Sequence, residues 1–114
     1  MRGRLAAATI AMAALWACRK PLNDSETRGA AAIVRFGCGS CHTVAGIRSA
    51  HGLVGPPLTG IHNRFYVAGM LQNTQANMAA WIYNPKAINP KTAMPVVGLS
   101  EQEASDIAAY LNSR

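Results

Sequence analysis

The chain has 114 residues, half of them hydrophobic but only 6% aromatic and 14% charged, which bounds it to one small domain with little aromatic material for a core. Eleven basic residues against five acidic ones give a formal charge of +6. The basic residues are scattered rather than interleaved with aromatics, which excludes a nucleic-acid-binding surface and leaves docking to an acidic protein as the better reading of the charge.

In chain order, residues 1–17 form an export signal: Arg2 and Arg4 precede an uncharged apolar run over 5–16, too short to span a bilayer comfortably as a helix. The run closes on Leu15-Trp16-Ala17-Cys18, which resembles a bacterial lipobox except for the bulk of Trp16. Cys18 is accordingly the expected lipid attachment point, with ordinary signal cleavage nearby as the alternative. Residues 18–24 form a polar tether, and 25–114 the folded domain. Removing 1–17 takes away Arg2 and Arg4 and lowers the formal charge from +6 to +4.

Asn23 and Glu26 have capping-box spacing and predict a helix over 24–36, with Ala30, Ile33, Val34 and Gly37 as its apolar stripe. The helix delivers Cys38-Gly39-Ser40-Cys41-His42. Two thiols three residues apart can each add to one vinyl group of a haem, and the next residue supplies an imidazole for the iron. Half a zinc site or a dithiol pair are the alternatives, but the chain has no second Cys-x-x-Cys and no alternating strand pattern. Residues 43–60 are punctuated by Gly46, Gly52, Gly55, Pro56, Pro57 and Gly60 and predict loop. A short helical turn is expected over 65–71. Thr74 then caps a helix through Tyr83 that carries Met78, Trp81 and Ile82, and Pro85 ends it. Residues 84–99 are expected to be irregular. Ser100 and Glu103 form a second capping box, opening a helix over 101–112 with Ala104, Ile107, Ala108 and Leu111 on one face.

Among the methionines, Met1 and Met12 fall in the signal, Met70 and Met78 in expected helical segments, and Met94 in a proline-bracketed loop far from His42. Such a loop can approach the second face of the iron, so Met94 is the expected sixth ligand and Met78 expected core. Histidine ligation through His51 or His62 is the alternative.

These segments together resemble the class I cytochromes c. The carriers of the resemblance are the Cys-x-x-Cys-His motif, Gly55-Pro56-Pro57-Leu58-Thr59-Gly60 followed by Arg64, Trp81-Ile82-Tyr83-Asn84-Pro85-Lys86 followed by Pro90, Thr92 and Met94-Pro95, and the final helix ending in Ala109-Tyr110-Leu111. Asn63-Arg64, Ala68-Gly69, Leu71-Gln72-Asn73-Thr74 and Trp81-Ile82 are similar in particular to the cytochrome c domain fused to subunit II of some bacterial haem-copper oxidases. The resemblance implies an all-α fold whose first and last helices cross, with a further helix before the methionine loop. It implies one covalently bound haem c, with thioethers at Cys38 and Cys41 and axial ligands His42 and Met94. It also implies that the Pro56 carbonyl accepts a hydrogen bond from the His42 ring, that Arg64 and Thr92 approach a propionate, that Trp81 packs beside the haem, and that Ala30 and Val34 cross Ile107 and Tyr110. Lys91 stands where many relatives have glycine, so the backbone before Met94 is expected to differ. The implied function is single-electron transfer rather than enzyme catalysis, without a small-molecule substrate. It would take place in the bacterial periplasm or at the outer face of the cell membrane, to or within a terminal oxidase. A haem subunit of a periplasmic dehydrogenase and a ligand-binding sensor or peroxidase are the alternatives.

Overall fold

A computed structural model describes residues 20–114; the expected export signal and the expected lipid attachment at Cys18 lie outside the described residues. The elements are helix α1 (Asp24–Arg35), the 3-10 turns Cys38–Ser40 and Ile61–Asn63, a two-stranded ladder of β1 (Tyr66–Val67) and β2 (Leu71–Gln72), helices α2 (Gln75–Tyr83) and α3 (Pro85–Ile88), and α4 (Glu101–Asn112). Helix α4 packs against both α1 and α2. The small sheet and the loops fill the remaining sides, so the fold is all-α in character.

Each long helix starts where its side chains satisfy the free N–H groups of the first turn. Both capping boxes are formed, Asn23 with Glu26 and Ser100 with Glu103, and Thr74 Oγ1 accepts from the Asn77 N–H. On α4, Ala104, Ile107, Ala108 and Leu111 are all buried. They share the core with Ile33, Met78, Ile82 and Tyr110.

The crossing of the first and last helices differs in detail from the expected one. Val34 is 57% exposed and Ala30 only partly buried, whereas Gly29, Ala32 and Ile33 face inward. A Cβ at Gly29 would overlap the carbonyl oxygen of Asp106 and lie 3.1 Å from the Ile107 nitrogen. The backbones therefore meet at a residue without a side chain, and this contact sets the helix's phase. A stripe read from apolar residues cannot register it.

Two further expectations are corrected. Residues 65–71 form a hairpin rather than a helical turn: Tyr66 pairs with Gln72 and Val67 with Leu71, and Ala68 and Gly69 both take positive φ, 53° and 68°. Two successive left-handed residues reverse the chain in the sense that suits a twisted ladder. Within 84–99, Pro85 opens helix α3, because a proline at the first helical position loses no hydrogen bond and Asn84 Oδ1 accepts from the Ala87 N–H.

Asp106 is buried on the core side of α4, where Ser25 Oγ donates at 2.6 Å, Arg28 Nε and Nη2 at 2.8 and 3.0 Å, and Gln102 Nε2 at 3.0 Å. It joins the start of α1 to the middle of α4. The Arg28 guanidinium, helped by Ser25 and Gln102, holds this carboxyl at about 2, below its ordinary 3.8, against the opposing effect of burial. Folding therefore favours the ionised form: the contribution is present in full above pH ~4 and is lost as pH falls from there through about 2. Asp106→Ala is expected to destabilise by ~2–3 kcal/mol, the low side of the cost of removing one partner of a buried ion pair, since the Arg28 side chain remains largely in water. Urea denaturation near pH 7 checks the loss, and the gap between wild type and variant should close on acidification.

Candidate haem and electron-transfer site

The Cys-x-x-Cys-His segment turns sharply off the end of α1. Gly37 takes φ 70°, the Cys41 N–H donates to the Cys38 carbonyl at 3.3 Å and the His42 N–H to the same oxygen at 3.0 Å. One carbonyl thus gathers the second cysteine and the histidine onto a single turn. Both thiols are free and half-buried, and burial pushes the Cys38 thiol up.

The following loop is fastened back onto this turn. Gly55 N–H donates to the Cys41 carbonyl at 2.7 Å, and Leu58 N–H to the Thr43 carbonyl at 2.9 Å. Between those anchors the Pro56 carbonyl lies 2.7 Å from His42 Nδ1. That contact makes Nδ1 the protonated nitrogen and leaves Nε2 with a lone pair, the arrangement a metal-binding imidazole needs. The ring rests against the Gly55 backbone: a Cβ there would clash with it at Cε1 and lie 2.7 Å from Nδ1 and 3.0 Å from Nε2. Tyr110 Oη donates to the Ala45 carbonyl at 2.7 Å and ties the same loop to α4.

On the methionine side, Asn89 N–H donates to the Pro85 carbonyl, Thr92 N–H to the Asn89 carbonyl and Lys91 N–H to Asn89 Oδ1. Met94 N–H donates to Thr92 Oγ1 at 3.2 Å, and Lys86 Nζ donates to the Thr92 carbonyl. Met94 is half-buried. Apart from glycines, Ala68 alone among the described residues has positive φ, so Lys91 sits in ordinary backbone that does not call for glycine. Met78 is fully buried in the core, and Met70 lies exposed in the hairpin turn. Trp81 is half-buried against the core. Arg64 Nη2 donates to the Pro57 carbonyl at 2.8 Å. His51 is exposed, and His62 Nδ1 lies 2.8 Å from the Arg114 carbonyl oxygen. No hydrogen bond among the described residues links the His42 loop to the Met94 loop.

Large apolar side chains stand outward on the segments flanking both: Leu53 is 90% exposed, Val54 82%, Phe65 86% and Val96 51%. Monomeric proteins seldom present so much apolar surface without use for it. Free paired thiols, an oriented imidazole and outward apolar side chains at Leu53 and Val54, just before the Gly55 that touches the ring, fit a haem. Charge separates too, a feature that scanning for basic clusters misses. All five carboxylates, Asp24, Glu26, Glu101, Glu103 and Asp106, belong to α1 and α4, and residues 36–100 carry Arg48, Arg64, Lys86 and Lys91 with no acidic residue.

The family profile for cytochrome c matches residues 27–114, and the chain belongs to that family, whose members carry haem and transfer electrons. It is related to the cytochrome c of oxidase subunits. It is 30% identical over 95 residues to cytochrome c oxidase subunit 2 of Alkalihalophilus pseudofirmus, and 28% identical over 100 residues to the protein of that name from Bacillus sp. strain PS3. These alignments cover 82% and 83% of this chain but 27% and 28% of the relatives, so the chain spans about a quarter of the length of the curated proteins it matches. No solved structure matches the chain.

Proposed function

We propose that this protein is a single-electron carrier holding one haem c through thioethers at Cys38 and Cys41, with His42 and Met94 as axial ligands, and that it passes electrons to or within a terminal oxidase. When bound, the haem supplies a ferric/ferrous one-electron couple. The observation that carries the reading is the His42 ring, fixed by the Pro56 carbonyl with its other nitrogen free, beside two free thiols and an outward apolar surface.

The chain's residues hold a geometry rather than perform a reaction. Pro56 and Gly55 fix the imidazole plane, the braced loop over 85–94 would present the Met94 thioether, and Trp81 would pack against the haem. Arg64 and Thr92 offer a cation and a hydroxyl to a propionate. A site closed by two protein ligands changes little in shape on reduction and leaves no position for a substrate. The acid-free stretch over 36–100 favours an acidic redox partner. The related oxidase subunits support the terminal-oxidase assignment.

Residues 1–17 would direct export, 18–24 form the tether and 25–114 the haem domain, with Cys18 lipidated and the domain at the outer face of the membrane or in the periplasm. Mass spectrometry of the protein isolated from its native membrane tests these statements together. The expected product begins at Cys18 with a lipid and carries one haem on the peptide holding Cys38 and Cys41. A haem-free chain would remove the reading, and a lipid-free Cys18 would remove the anchor alone.

A further inference from the structure

The Pro56–Pro57 pair has two carbonyls and no N–H, so it cannot anchor itself to neighbouring backbone by donation. Its own carbonyls are taken by two side chains: Pro56 by His42 at 2.7 Å and Pro57 by Arg64 Nη2 at 2.8 Å. Arg64 is in turn held in place by Asn73. The Asn73 side-chain amide donates to the Ile61 carbonyl at 2.9 Å and to the Arg64 carbonyl at 2.8 Å, and its backbone N–H donates to the Phe65 carbonyl at 2.9 Å. One half-buried asparagine therefore fastens the 3-10 turn and the residue after it to the start of the segment leading into α2. The chain of contacts runs from Asn73 to the Arg64 backbone, through the guanidinium to Pro57, and across one peptide unit to the oxygen that orients His42.

We propose that Arg64, fixed by Asn73, is a positioning residue for His42, acting through the Pro56–Pro57 carbonyls in addition to any contact with a propionate. A charged donor on the Pro57 oxygen is stronger than a neutral one, and it restrains the Pro57–Leu58 peptide, the neighbour through the Pro57 ring of the Pro56–Pro57 peptide whose rotation would withdraw the Pro56 oxygen from the His42 ring. Gly55 N–H to Cys41 pins the loop before Pro56, and Leu58 N–H to Thr43 holds one side of the Pro57–Leu58 peptide; Arg64 holds the other, carbonyl side of that peptide. The proposal rests on His42 being the iron ligand.

The test is NMR on the ferrous holoprotein, measuring solvent exchange of the His42 Nδ1–H. Wild type should show ring resonances shifted by the haem and a slowly exchanging ring N–H. Arg64→Met keeps the stem and removes the donors; exchange at that N–H should rise at least about tenfold, the effect of losing one hydrogen bond to a charged group, while the amides of Ile107 and Ala108 in α4 exchange as before. Asn73→Leu should accelerate it in the same direction, and Arg64→Lys, which retains a charged donor, should keep it slow. Unchanged exchange in Arg64→Met overturns the proposal, as does acceleration that appears equally in α4, since that is general loosening. If Arg64→Met does not accumulate folded, fast exchange in Arg64→Lys with α4 intact overturns it as well. A wild type without haem-shifted His42 resonances overturns the ligand assignment itself, an outcome distinct from these.

Discussion

Replacing Met94 by alanine is expected to abolish the sulfur-to-iron absorption of the ferric protein, open the iron to carbon monoxide at neutral pH in the ferrous state, and lower the reduction potential by roughly 0.2 V, a quarter of the ~0.8 V range that axial-ligand choice spans. The fold should survive. Met94 is half-buried, so the packing loss stays below the ~2 kcal/mol at which truncation of buried methionines begins. The loop keeps its form because its bonds do not use the Met94 side chain: Thr92 Oγ1 accepts the Met94 backbone N–H, and Asn89 and Lys86 hold the turn before it. Met70, 53% exposed in the hairpin turn, is the internal comparison. Met70→Ala should leave spectrum and potential unchanged; if Met70→Ala instead removes the absorption and Met94→Ala retains it, the ligand assignment is reversed.

Gly29→Ala should be the most damaging small substitution on the helical side of the molecule. In the interior of a helix alanine is ordinarily better than glycine by ~1 kcal/mol. Here the added methyl would overlap the Asp106 carbonyl oxygen and lie 2.6 Å from the Asp106 carbonyl carbon, both backbone atoms of a packed helix that cannot move alone. Overpacking of that kind costs ~1–3 kcal/mol or more, and it also displaces Asp106 from Ser25 and Arg28. A net loss of about 2–4 kcal/mol is expected, read as a lower urea midpoint. Gly60→Ala gives the contrast: nothing lies within 4 Å of a Cβ there and only its φ of 70° is unfavourable, so the cost should stay near 1 kcal/mol. Equal midpoints for the two variants would show that the α1–α4 approach at Gly29 is not tight.

The parts of the structure that are local in sequence are legible from it. Asn23 with Glu26, Thr74, and Ser100 with Glu103 mark helix starts that the structure reproduces, because a capping side chain bonds backbone only two or three residues away. The phase of α1 is not legible in that way. It depends on a glycine meeting a carbonyl from a helix some 80 positions on, and Val34, which reads as core, faces outward. The hairpin over 66–72 is hidden for a related reason: its turn needs two positive φ values, and alanine at the first does not announce one. Asp106 could have been noticed, since it interrupts the buried face of α4 beside Ile107 and so demands partners, but Ser25 and Arg28 come from the other end of the chain. At the candidate site, the Cys-x-x-Cys-His motif and the Gly55-Pro56-Pro57 segment each stand in the sequence as a short pattern of their own. The roles of Arg64 and Asn73 around Pro57 emerge only once separate loops are folded together.

A closed haem site that carries single electrons is tested most directly by redox titration of the purified holoprotein, with carbon monoxide added to its reduced form. The expected result is one one-electron transition at a positive midpoint potential and no carbon monoxide complex at neutral pH. A midpoint well below zero, or a carbon monoxide complex in the wild type, would contradict it.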